Sequence, residues 1–103
     1  MRALISVIAV MASLTTTSLA DSMIIERCGN TQCADWYSAY GAYNIVATGG
    51  CHGNPGPPGM TSICTDHALG RAHFYFTNQA KRCLVRLENT ATRSVWTEVT
   101  CTW

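Results

Sequence analysis

Ala72-His73-Phe74-Tyr75-Phe76, then Thr77-Asn78-Gln79-Ala80, then Arg82-Cys83-Leu84-Val85-Arg86-Leu87-Glu88 is the stretch on which the fold of this chain turns. Its two outer segments are rich in aromatic and β-branched residues and its middle is polar, which is the pattern of two strands joined by a turn. A hairpin follows. In the second segment Cys83, Val85 and Leu87 fall on one side while Arg86 and Glu88 fall on the other, the period of two expected of a half-buried strand. The last residues repeat the alternation after a polar turn at Asn89 to Arg93: Val95, Thr97, Val99 and Cys101 on one side, Trp96, Glu98, Thr100 and Thr102 on the other. The final third is therefore a three-stranded meander, with Cys83 and Cys101 assigned to the inward side beside Val85 and Val99.

Working back towards the N-terminus, Met23-Ile24-Ile25-Glu26-Arg27 is a short run ending at the turn Cys28-Gly29-Asn30 and reads as an edge strand. Trp36, Tyr40 and Tyr43 stand at helical spacing within a proline-free stretch, so one short helix fits between Cys33 and Asn44, although a strand fits the same residues. Asn44 to Thr48 is β-prone and stops at Gly49-Gly50. Gly53-Asn54-Pro55-Gly56-Pro57-Pro58-Gly59 is irregular and reads as the longest surface loop. The expected fold is a β-rich, disulfide-stapled domain of about five strands.

The first twenty residues have the layout of a cleavable secretory leader: Arg2, an apolar stretch from Ala3 to Leu14, then Ser18-Leu19-Ala20. That apolar stretch is about 12 residues, short of the ~20 a membrane-spanning helix needs. Residues 1–20 are thus expected to be a signal peptide and 21–103 the working domain, released without membrane insertion. All six cysteines, Cys28, Cys33, Cys51, Cys64, Cys83 and Cys101, lie after the leader. An even count in a short secreted chain predicts three bridges, and the spacing leaves their pairing open. Cys51 and Cys64 bracket the proline-glycine loop, so a staple across it and a bridge to another strand are equally compatible. No Cys-x-x-Cys pair occurs, which argues against zinc, and no acceptor triplet for N-glycans occurs. Of the seven Lys and Arg, Arg2 leaves with the leader, so six face six Asp and Glu in the remainder. Nucleic-acid binders and membrane-lysing peptides draw their affinity from a basic excess, and none is present.

The candidate acid and base groups are His52, His67, His73, Asp66, Glu88 and Glu98. None stands in a catalytic motif. His73, Arg86 and Glu88 are the set closest to the His/Glu/Arg constellation of small secreted fungal ribonucleases, but solvent-facing charges explain them as well. His67 and His73 are spaced for neither a helix face nor one side of a strand, so no metal site and no cofactor is expected. Trp36, Tyr37, Tyr40 and Tyr43 form an aromatic cluster suited to recognition, as Trp and Tyr are enriched at binding hot spots.

Taken together, the leader, the six cysteines, the neutral aromatic-containing β body and the ending Trp96-Thr97-Glu98-Val99-Thr100-Cys101-Thr102-Trp103 resemble the small secreted cysteine-rich effectors of plant-infecting filamentous fungi. The nearest group is the six-cysteine biotrophy-associated secreted proteins of blast fungi. The resemblance spans the full chain and rests on architecture rather than motif. It implies delivery during infection, a monomer acting in the host extracellular space or host cytoplasm, and a non-enzymatic role. Its partner would be a host protein or cell-surface component, bound so as to dampen defence. A ribonuclease-like enzyme and a toxin or antimicrobial protein against competing microbes are the alternatives.

Overall fold

The computed structural model describes residues 21–103, and the leader assigned to residues 1–20 lies outside them. Eight strands and no helix occur among the described residues: β1 Ser22–Cys28, β2 Thr31–Ser38, β3 Gly41–Asn44, β4 Gly50–Gly53, β5 Met60–Asp66, β6 Arg71–Phe76, β7 Arg82–Asn89 and β8 Arg93–Val99. They form one antiparallel sheet in the order β3-β2-β1-β8-β7-β6-β5-β4. Strands adjacent in the sheet are therefore consecutive in sequence except at one place, where β1 pairs with β8 and brings the two ends of the domain together. The β6-β7-β8 meander forms as the alternation predicts. More strands form than the expected five because short polar pieces such as Gly41–Asn44 and Gly50–Gly53, weak alone, gain a hydrogen-bonding partner at the sheet edges.

The sheet curls into an incomplete barrel. Trp36 on β2 and Phe74 on β6 are four strand positions apart, yet their rings meet edge to face with centroids 4.6 Å apart. Only a curled sheet brings them together. Its two edges, β3 and β4, do not pair. Residues 45–49 bridge them, with Ile45 and Ala47 buried. The segment read as a surface loop closes the seam. Pro55 and Pro57 are buried, and the Val46 N–H donates to the Pro55 carbonyl at 2.9 Å. Between those prolines, Gly56 has φ +148° and lies so close to β3 that an added Cβ would stand 2.1 Å from the Asn44 carbonyl oxygen. A side chain there would hold the seam open.

Three sequence expectations are corrected. Met23 to Arg27 is not an edge strand, because β1 is flanked by β2 and β8. The short helix fitted between Cys33 and Asn44 does not form and the strand alternative does, as a hairpin: Trp36 lies directly opposite Tyr43, and Ala39-Tyr40 makes the turn. Helical spacing was a coincidence of a tight turn that returns Tyr43 to the face of Trp36. The face assignment of the last two strands is inverted. Leu84 and Trp96 belong to the core cluster, while Leu87 is 65% exposed. A register shift between Arg86 and Glu88 leaves Leu87 outside the ladder. Cys83 is fully buried, but on the outer side, where its bridge to Cys101 holds the C-terminal segment against the sheet.

The interior is small and aromatic. Trp36, Trp96, Phe74, Met23, Ile63 and Leu84 are its largest fully buried side chains. Each contributes about 1.5–3 kcal/mol through burial of apolar surface. The disulfides Cys28–Cys33, Cys51–Cys64 and Cys83–Cys101 account for all six cysteines. Of the arrangements left open for Cys51 and Cys64, the staple across the loop is the one formed, between directly opposed positions of β4 and β5. Such a small core with three bridges suits an oxidising, extracellular setting.

Candidate functional site

The interior of the barrel carries charge. Along β7 the inward positions are Arg82, Leu84 and Arg86, and along β8 they are Ser94, Trp96 and Glu98, as the pairings Leu84 with Glu98 and Arg86 with Trp96 require. At one end Arg82 makes a two-pronged contact with Glu98, Nε to Oε2 at 2.7 Å and Nη2 to Oε1 at 2.8 Å. Its Nη2 also lies 3.5 Å from Asp21 Oδ2, and its Nη1 donates to Gln79 Oε1 at 3.1 Å. The guanidinium lies over the rings of Phe74 and Phe76, 5.1 and 5.3 Å from their centroids. Asp21 is pinned in turn: its Oδ2 accepts from the Trp36 indole N–H at 2.9 Å, and its carbonyl accepts from the Glu98 N–H at 3.0 Å. The hydrogen bonds that Arg82 donates to Glu98 raise its pKa, burial opposes that, and the charges of Glu98 and Asp21 add to it. The cation is locked in place.

Above this polar floor a cavity of about 1030 Å3 opens to solvent. Trp36, Tyr40, Tyr43, Pro57, Pro58 and Phe76 wall it. Tyr40 stands on the rim, 90% exposed, and the Tyr43 hydroxyl donates to its carbonyl at 3.3 Å. The opposite end is shallower, with a depression of about 360 Å3 beside His67 and Arg86. There Arg86 donates from Nη1 to the His67 carbonyl at 2.9 Å and lies over Trp96. His67 Nε2 lies 2.9 Å from the Ala47 carbonyl.

Of the four aromatic residues singled out from the sequence, the fold gathers Trp36, Tyr40 and Tyr43 at the cavity. Trp36 is fully buried there, forming wall rather than surface. Tyr37 takes the alternate position of β2, pairs with Ala42 and lies outside the cavity. The acid and base candidates do not converge. His73 occupies the outer face of β6, between the positions of Cys64 and Cys83, whereas Arg86 points inside and Glu88 is exposed beyond the register shift. Desolvation, with the nearby charge of Lys81, lowers the His73 pKa. His52 bonds back to Thr48. Asp66 Oδ1 accepts from the Leu69 N–H in a turn. No cluster of three or more metal-ligating side chains occurs among the described residues, and those residues form no helix long and apolar enough to cross a membrane.

Sequence reasoning missed Asp21 and Arg82 and treated Glu98 only as an acid candidate. One signal was available: Trp96, two residues from Glu98 and on its side of the strand, is the bulkiest residue of β8, and the largest aromatic of a strand usually marks the buried face. No protein-family model, curated protein or solved structure matches the chain.

Proposed function

We propose that this chain is a secreted effector that binds a host component and thereby dampens plant defence, and that it binds through the cavity at the Arg82 end of the barrel. The observation that carries this reading is the cavity itself. Its volume of about 1030 Å3 lies at the upper end of the ~300–1,000 Å3 of small-molecule pockets, and its aromatic and prolyl walls over a few fixed polar groups are the usual make-up of such sites. The polar groups of the floor are already hydrogen-bonded to one another, so it offers shape and a polarised base rather than a free reactive group. The fitting occupant is a small host molecule with a flat, apolar body that stacks on Tyr40, Tyr43 and Phe76. The separation of His73, Arg86 and Glu88 on different faces supports binding over the ribonuclease alternative.

The test uses the secreted protein and an environment-sensitive apolar dye. The dye should brighten on the parent and lose most of its signal on Tyr40→Ala and Tyr43→Ala with folding intact by circular dichroism. Plant extract fractions of low molecular mass should displace it, and the same two variants should lose suppression of a host defence output. Dye binding unaffected by either variant, or suppression retained by both, would sink the reading. Displacement only by host protein would replace the small molecule with a protein partner.

A further inference from the structure

We propose that hydrolysis of the Ala20–Asp21 bond creates a structural ion pair, in which the new α-ammonium of Asp21 seats on the Glu98 carboxylate at the cavity floor and completes a four-charge cluster. Water adds to the Ala20 carbonyl carbon, the C–N bond breaks, Ala20 leaves as a carboxylate, and the freed Asp21 nitrogen takes up a proton. The inference goes beyond the binding reading and stands whatever the cavity holds.

The Asp21 nitrogen lies 3.3 Å from Glu98 Oε1, and Asp21 is 7% exposed. Its position is over-determined. Ser22 pairs with Thr97, the Asp21 carbonyl accepts from the Glu98 N–H, and its side chain is held by the Trp36 indole. A terminal nitrogen formed here stays on its acceptor. The charge count then changes. With a peptide nitrogen at Asp21, the carboxylates of Asp21 and Glu98, both buried, share the single guanidinium of Arg82. Two buried carboxylates against one cation leave a net negative floor, and buried charge without a partner is costly. The other titratable side chains lining the cavity are Tyr40, Tyr43 and Lys81. The Lys81 ammonium is engaged by the Trp103 backbone oxygen. An α-ammonium from Asp21 supplies the missing positive charge at hydrogen-bond distance, so processing finishes the site.

A terminal amine stabilised as its cation titrates higher in the folded chain than in the unfolded one. Its stabilisation is therefore full below the ordinary α-amino value of ~7.7–8.0 and fades as pH rises through the folded value.

The experiment compares three forms of the protein: the chain beginning at Asp21, the same chain with one extra glycine in front of Asp21, and Glu98→Gln. Intact mass of the parent secreted with its leader should show Asp21 as first residue. In the chain beginning at Asp21, a pH titration followed by the carbon resonances of Asp21 should place the amine above ~8.0. The glycine-extended chain should melt about 4–8 °C lower at pH 6.5, and the gap should close near pH 10. Glu98→Gln should return the amine to its ordinary range. If Glu98→Gln does not fold, the parent titration and the extended chain decide. Removal of the leader at another bond, an amine titrating at ~7.7–8.0 in the folded parent, or equal melting of the parent and extended chains would each overturn the proposal.

Discussion

The two ends of the barrel treat the same problem differently. Each has an arginine from the inner face of β7, four residues apart in sequence, and each has a disulfide nearby. At the cavity end Arg82 is held by two carboxylates, and Cys83–Cys101 ties the C-terminal segment beside it. At the other end Arg86 is held by no carboxylate but by the His67 carbonyl and the face of Trp96, near the β1–β2 turn that Cys28–Cys33 pinches. Two half-buried guanidinium groups are thus accommodated, one by ion pairing and one by a backbone dipole and an aromatic ring. The contrast teaches that ion pairing concentrates energy and vulnerability where the cavity is, while the closed end is held by weaker, replaceable contacts. Gly70 belongs to that closed end: its φ is +66°, and an added Cβ would stand 3.2 Å from Arg86 Nη2. Glycine lets the loop lie flat on the guanidinium.

The largest expected effect is at the cavity end. Glu98→Ala strips the two-pronged partner from Arg82 and should cost about 3–5 kcal/mol, as breaking a buried pair by removing one side does, with the lower figure expected because Arg82 reaches solvent. Urea unfolding measures it. A loss under about 1 kcal/mol would mean that the cluster behaves as a surface pair and would erase the difference between the ends.

The bridges come next. Cys101→Ser should cost about 2–5 kcal/mol and sharply lower secretion yield. Cys33→Ser should cost about 1 kcal/mol less, since the loops closed span 18 and 5 residues and the entropy removed from the unfolded chain grows with the logarithm of that span. Thermal melting of the two variants side by side checks the order. Equal losses would show that the bridges act through native contacts rather than loop length.

Arg86→Met keeps the stem over Trp96 but removes the cation–π contact and the donor to His67. A loss of about 1–2 kcal/mol is expected, clearly below that of Glu98→Ala. A loss equal to or above it would reverse the comparison.

The smallest effect belongs to neither end. His73 lies on the outer face between the ends, with its pKa lowered by desolvation first and by Lys81 second. Because the folded state favours the neutral ring, its contribution is present above the ordinary histidine value of ~6.5 and is lost as pH falls towards the lower folded value. His73→Gln should therefore reduce the fall in melting temperature between pH 7.5 and pH 5 by a small but measurable margin. An unchanged fall would assign the acid sensitivity to other groups.

Much of the β6-β7-β8 meander was legible because a period of two survives any sheet curvature. Its polarity was not. On β7 the hydrophobic set Cys83, Val85, Leu87 outranks Arg82, Leu84, Arg86 by composition, yet the second set faces inward. Arginine stems are apolar, and a narrow aromatic interior covers them while Glu98 and the His67 carbonyl satisfy their tips. The outer set is partly sheltered by the C-terminal segment, where Arg71 lies over Trp103. The candidate site was legible through Trp36, Tyr40 and Tyr43, singled out by residue type as a recognition cluster, and through Glu98, named only as an acid candidate. Asp21 stands 77 residues from Glu98, and Arg82 stands 16 from it. Local pattern carries no trace of such pairs.

The amino-acid order alone determined that the domain is β-rich, that its last third is a meander and that its six cysteines have partners available, because strand period, turn chemistry and cysteine parity are local or countable properties. The tertiary structure alone decided which face of each strand is inside, which cysteines join, and that a proline-glycine segment seals the seam between β3 and β4. Those outcomes depend on sheet curvature and on closing one edge towards the other, which are set by all eight strands at once.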